Sequence, residues 1–242
     1  MITRLLTSLI LIFTLSHAAS LRTNLDKEDF DSLMEISALY ETDLKLIEEG
    51  KDRVALEPLL LFEQIISEHI DELEGLSESD FILFKKRMRG FFVNREEIIF
   101  VKPDNEFFLK LAKEKGGKID VDFFELRSKL LPDSVWPAYI QPQTDYSGCT
   151  KFGTGKMTGL YGEMNRFRRE NVEEYTFFIS EQLLDLKEHL TGNCACGDAA
   201  SVKKELQLFI KAYPKDAIIK KIKKRLRTID SDKNFRPNCH SG

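Results

Sequence analysis

The sequence predicts a mainly α protein: an irregular multi-helix fold with one long glycine-, proline- and aromatic-rich loop stapled by disulfides. Apolar residues recur at helical spacing over most of the 242 residues. The exception is 132–162, which holds Pro132, Pro137, Pro142 and five of the 13 glycines. All four cysteines follow the start of that loop, as Cys149, Cys194, Cys196 and Cys239.

The helices follow in order. Asp26 to Gly50 carries Phe30, Leu33, Tyr40, Leu44 and Ile47 at helical spacing, and Gly50 is a natural stop. Ala55 to Glu74 carries Leu59, Phe62, Ile66, Ile70 and Leu73, and Gly75 ends it. Ser77 and Asp80 form a capping box for a third helix with Phe81, Phe84 and Met88. This helix is expected to break near Gly90 and resume through Ile98 to Val101, until Pro103 interrupts it. Asp104 and Asp120 can cap two further helices, separated by a Gly116-Gly117 turn. Helical spacing returns at Glu163–Arg169 and runs strongly from Val172 to Leu190, with Gly192 as the stop. Asp198 caps a helix to Tyr213, and Asp216–Ile229 forms the last one, presenting Ile218, Ile219, Ile222, Leu226 and Ile229 on one face. Helices of 10–20 residues divide the chain into roughly eight to ten.

Residues 1–19 read as a secretory signal peptide. Arg4 is followed by an apolar run from Leu5 to Leu15 and the small-residue exit Ser16-His17-Ala18-Ala19. The run is shorter than the roughly 20 residues of a spanning helix. The expected product is an exported chain, periplasmic or extracellular, without a transmembrane segment. It divides into an acidic helical unit over 20–131 and a disulfide-stapled helical unit over 132–242, which can pack together as one domain. In an oxidising compartment an even cysteine count favours disulfides over metal ligation. Cys194 and Cys196 are too close to bridge each other without strain, so Cys149 and Cys239 should each take one of them. The spacing leaves open which. The His189-x4-Cys194-x-Cys196 run does not match zinc-ligand spacing.

The charge is uneven although the formal net charge is only −4. Asp26–Asp80 holds 18 acids against 4 bases, and Ser201–Ile229 holds 10 bases against 2 acids. Either the two ends face each other or each meets its own partner.

The irregular loop is the first candidate site, since loops on a rigid scaffold carry binding groups more often than core helices. It would present Trp136, Tyr139, Asp145, Tyr146, Lys151 and Lys156 to a partner or ligand. Gly153-Thr154-Gly155-Lys156-Met157-Thr158 fails as a phosphate-binding loop. Thr150 stands where the first glycine belongs, and Met157 follows the Gly-Lys pair. Asp230-Ser231-Asp232-Lys233-Asn234 starts like a calcium loop but continues with Phe235 instead of glycine. His69 reads as a half-buried helix residue near Glu72, and no Ser/His/Asp or Cys/His grouping emerges from spacing alone. The second candidate is the basic helix 215–229, whose Lys220, Lys221, Lys223, Lys224 and Arg225 could meet an anionic surface.

No cofactor and no metal are expected, and nucleic acid is discounted by compartment and overall charge. The leading expectation is a non-enzymatic exported binding or scaffold protein recognising a protein or cell-envelope component. One alternative is a secreted hydrolase with its site at 136–162. The other is a peripheral membrane protein working through helix 215–229.

Overall fold

A computed structural model describes residues 32–96, 98–144 and 147–231. The proposed signal peptide, Asp145, Tyr146, Cys239 and the calcium-like tail from Asp232 lie outside the described residues. The described chain is mainly helical, with ten helices and two short hairpins. The described residues fall into two compact units, divided between Glu125 and Leu126.

In the first unit α1 (Leu33–Glu49) packs on α2 (Glu57–Glu68) and on α4 (Glu78–Arg87). Gly50 ends α1 as expected. The helix expected over Ala55–Glu74 is broken: α2 stops at Glu68, and a single turn, α3 (Glu72–Gly75), follows. The break has a physical reason. It lets Glu72 accept from the backbone N–H of Leu33 at 3.1 Å, satisfying an orphan donor at the start of α1. The same carboxylate pairs with His69 Nδ1 at 2.7 Å, as expected from the sequence. Ser77 caps α4 by accepting from Asp80 N–H.

The helix expected over 98–101 is instead a strand. Gly90, with φ +84°, turns the chain into β1 (Phe91–Asn94), which pairs antiparallel with β2 (Phe100–Pro103). A side chain at Gly90 would meet the ring of Phe107 at 2.3 Å. Phe91-Phe92-Val93 and Ile98-Ile99-Phe100-Val101 are aromatic and β-branched runs, which suit a half-buried pleat. Asp104 then caps α5 (Asn105–Lys115), and α6 runs Lys118–Leu130. Asp120 lies inside the first turn of α6 and accepts from Gly117 N–H at 2.7 Å and Leu56 N–H at 2.8 Å. The core is a continuous aromatic line, Tyr40–Phe62, Tyr40–Phe91, Phe91–Phe108 and Phe108–Phe124, with ring centroids 5.2–5.5 Å apart.

The second unit is a closed ring of four helices. α7 (Lys156–Glu170) packs on α8 (Thr176–Thr191), α8 on α10 (Ile219–Ser231), α10 on α9 (Ala199–Ala212) and α9 on α7. Asp198 caps α9 by accepting from Ser201 N–H at 2.8 Å. α7 begins seven residues before the Glu163 expected from periodicity, because its glycines masked the pattern. α8 begins at Thr176 and not Val172, because Tyr175 takes a left-handed conformation with φ +57°. The supposedly irregular loop contains the hairpin β3 (Ile140–Pro142) and β4 (Gly148–Thr150).

Two glycines of α7 make opposite predictions. A Cβ at Gly162 would lie 2.3 Å from the hydroxyl oxygen of Tyr213, which donates to Thr158 O at 3.0 Å. A Cβ at Gly159 would meet nothing within 4 Å. In urea unfolding, Gly159→Ala should therefore stabilise by about 1 kcal/mol. Gly162→Ala should destabilise by about 1–3 kcal/mol through overpacking. Equal shifts would contradict this packing.

Candidate functional site

The β3–β4 hairpin is fixed to the bundle by one covalent and several polar links. Cys149 is bonded to Cys196, 47 positions further along the chain, with Cα atoms 5.1 Å apart. Closing a loop of that length stabilises by about 4 kcal/mol on the chain-entropy model. Cys194 is not a free thiol either. Cys196 N–H donates to Thr150 O at 2.8 Å, and Lys151 forms a parallel bridge with Cys196.

Next to the staple the structure assembles a polar group that spacing alone did not reveal. Thr150 Oγ1 lies 2.8 Å from His189 Nδ1, and His189 Nε2 lies 3.5 Å from Asp185 Oδ1. Tyr139 donates to Asp185 Oδ2 at 2.5 Å, and its ring meets the imidazole edge-on at 5.4 Å. The order hydroxyl, imidazole, carboxylate is that of a nucleophilic triad. Thr150, however, is 0% exposed and Tyr139 is fully buried, so no substrate reaches the hydroxyl. The group acts as a latch that fastens the hairpin to the last turn of α8. Burial pushes Asp185 up, but hydrogen bonds from His189 and Tyr139 outweigh that and leave its carboxyl below the ordinary value. Burial first, and Asp185 second, push the Tyr139 phenol far above its usual value, so it stays a donor.

The glycine-lysine segment has its own explanation. Gly153 and Gly155 hold φ of +82° and +76°, which bring the chain into the start of α7. The N-cap of α7, Gly155, has no side chain to offer, and the adjacent Thr154 hydroxyl accepts only from Lys156 N–H at 3.2 Å. Glu205 of α9 supplies the anion: it accepts from Gly155 N–H at 2.6 Å, Thr158 N–H at 3.2 Å and the Thr158 hydroxyl at 2.9 Å. The carboxylate is completely buried. The place where a nucleotide phosphate would sit is filled from within the chain.

Arg225 is the counterpart at the other end. Its Nη1 donates to His189 O at 3.2 Å and Leu190 O at 2.9 Å, capping the C-terminus of α8, and its guanidinium lies 4.8 Å from the Phe152 ring centroid. Burial lowers its pKa to about 10. At 6% exposure Arg225 is not available to an anionic surface, contrary to the expectation from sequence.

The loop residues are not one presented surface. Tyr139 is in the core, Trp136 and Lys151 are half-buried, and Lys156 is exposed. Lys156 lines an open cleft of about 590 Å³ with Ser128, Lys129, Thr154 and Glu163, in which Lys129 and Glu163 pair at 2.7 Å.

The basic residues are exposed on two neighbouring helices. Lys220, Lys221, Lys223 and Lys224 are exposed on α10, with Arg227 beside them. α9 and the following turn add exposed Lys204, Lys211 and Lys215. None of these eight has an acidic partner among the described residues. Lys203 is tied to Asp230 at 2.5 Å. The sequence carried a signal for the two buried charges as well. Glu205 falls among Val202, Leu206 and Phe209, and Arg225 between Ile222 and Ile229, all on the inward stripes.

Glu205→Gln should destabilise by about 2 kcal/mol in urea unfolding at neutral pH, because a charge-assisted cap becomes a neutral one. An unchanged midpoint would refute that role. Asp185 contributes stability above the ordinary carboxylate range, and that contribution is lost as pH falls through its lowered pKa. The stability gap between wild type and Asp185→Asn should therefore persist down to the ordinary carboxylate value of 3.8 and close as pH falls below it. A gap constant with pH would contradict it.

Among the described residues no helix is long and apolar enough to cross a membrane, and no three metal-ligating side chains converge. Compared with known proteins, the chain matches no family model, no curated protein and no solved structure.

Proposed function

We propose that this chain is an exported, non-enzymatic binding protein that recognises an anionic component of the cell envelope through the α9–α10 side of its second unit. The observation that carries this reading is the set of eight exposed cations on α9, α10 and the turn between them, none with an acidic partner among the described residues. Uncompensated like charges repel one another and cost stability, so they are explained by a partner and not by the fold. The disulfide supports export, since such bonds persist in oxidising compartments. The signal-peptide pattern of residues 1–19 supports it independently.

The hydrolase reading loses its best group, because the Thr150–His189–Asp185 arrangement has a hydroxyl with no exposed surface. The test is retention on an isolated envelope fraction. The chain from Ser20 onward keeps every described residue and should bind. Replacement of Lys220, Lys221, Lys223 and Lys224 by Gln should abolish retention without lowering the urea midpoint. Equal retention of both forms would overturn the reading.

A further inference from the structure

We infer that the α9–α10 side adsorbs the folded protein onto an anionic lipid surface by charge alone, with no helix leaving the bundle. This rests on the binding-protein reading above and names the partner.

The alternative mode for a basic amphipathic helix is insertion of its apolar face among lipid tails. Here that face is already used. Ile219, Ile222 and Ile229 are buried in the four-helix core. Pulling α10 out would also strip Arg225 from the carbonyls of His189 and Leu190 at the C-terminus of α8. What α10 offers a partner without unfolding is its lysines.

The composition of the side also separates a lipid surface from an acidic protein. Specific protein interfaces are enriched in aromatic residues and Arg and depleted in Lys, and their energy comes from a few anchors in pockets. This side is dominated by Lys. Its one exposed large apolar residue is Leu208, and Phe209 is turned inward. Lysine is a compact point charge on a flexible stem, suited to many interchangeable headgroups and not to one planar fork. α9 and α10 lie side by side in the bundle, so their cations cover an area and not a single line. Each cation near an anionic leaflet adds to adsorption, and the sum is screened by salt.

The experiment is flotation of the chain from Ser20 onward with phosphatidylcholine vesicles, with and without phosphatidylglycerol. The protein should float with the anionic vesicles and not with the neutral ones. Raising NaCl to about 0.5 M shortens the Debye length to roughly 4 Å and should release it. The Lys220, Lys221, Lys223 and Lys224 to Gln form should bind about a thousandfold more weakly. Three results would each overturn the inference: no binding to anionic vesicles, equal binding to neutral ones, or binding that survives high salt. If vesicles fail while the envelope fraction still retains the protein, and protease treatment of that fraction abolishes retention, the partner is an acidic protein. The binding-protein reading then stands and the lipid assignment falls.

Discussion

A helix leaves four N–H groups and four carbonyls without partners at its ends, and its dipole makes the first end positive and the second negative. The second unit is organised around that constraint. α7 begins on a glycine that cannot cap it, and the carboxylate of Glu205 reaches across from α9 to do so. α8 ends under the guanidinium of Arg225, which reaches across from α10. An acid at an N-terminus and a base at a C-terminus are the two signs the dipoles favour. The α9–α10 pair is therefore joined to the α7–α8 pair by two buried charge-to-dipole contacts as well as by apolar packing. A buried charge is costly unless it is satisfied, so register is enforced: slipping α9 by one residue removes Glu205 from the only donors that repay its burial. The Thr150–His189–Asp185–Tyr139 latch and the Cys149–Cys196 bond then fix the β3–β4 hairpin to the same region.

The first unit solves a related problem with a different material. Its core is a line of edge-on and stacked rings from Tyr40 to Phe124, contributed by α1, α2, β1, α5 and α6. Polar groups enter where backbone must be satisfied. Glu72 reaches α1, and Asp120 holds both the start of α6 and the chain entering α2. Both units thus use acids at helix starts, but the first keeps most of its remaining acids in solvent, where they give the N-terminal half its negative charge.

These differences account for what the sequence disclosed. Caps and stops were legible because their chemistry is local. Ser77, Asp104 and Asp198 accept from N–H groups two or three residues ahead, and Gly50 and Gly192 end helices where the sequence places them. The β1–β2 hairpin was misread because short apolar runs have no period that separates strand from helix. The start of α7 was hidden by glycines whose reasons are distant: Glu205 and Tyr213 lie about fifty residues further along the chain. Tyr139 and Arg225 were misplaced on the surface for the same reason, since aromatic and basic side chains look alike in a sequence whether they face a partner or a helix end. The four lysines of α10 are exposed, as an amphipathic stripe dictates for those positions.

The separation of roles along α10 follows from that stripe. Positions 219, 222, 225 and 229 face inward and carry the packing and the α8 cap; 220, 221, 223, 224 and 227 face outward. The outward lysines make no contact on which the fold relies, and the inward arginine makes no contact that a partner can reach. Affinity for an anionic surface, as proposed, can therefore be removed without loss of stability. The converse does not hold, because loosening the inward stripe would release the same apolar face that now keeps the helix out of lipid. Attachment by charge alone, as proposed, needs that face locked, and the buried Arg225, seated on the carbonyls of the neighbouring helix, helps the buried isoleucines to lock it.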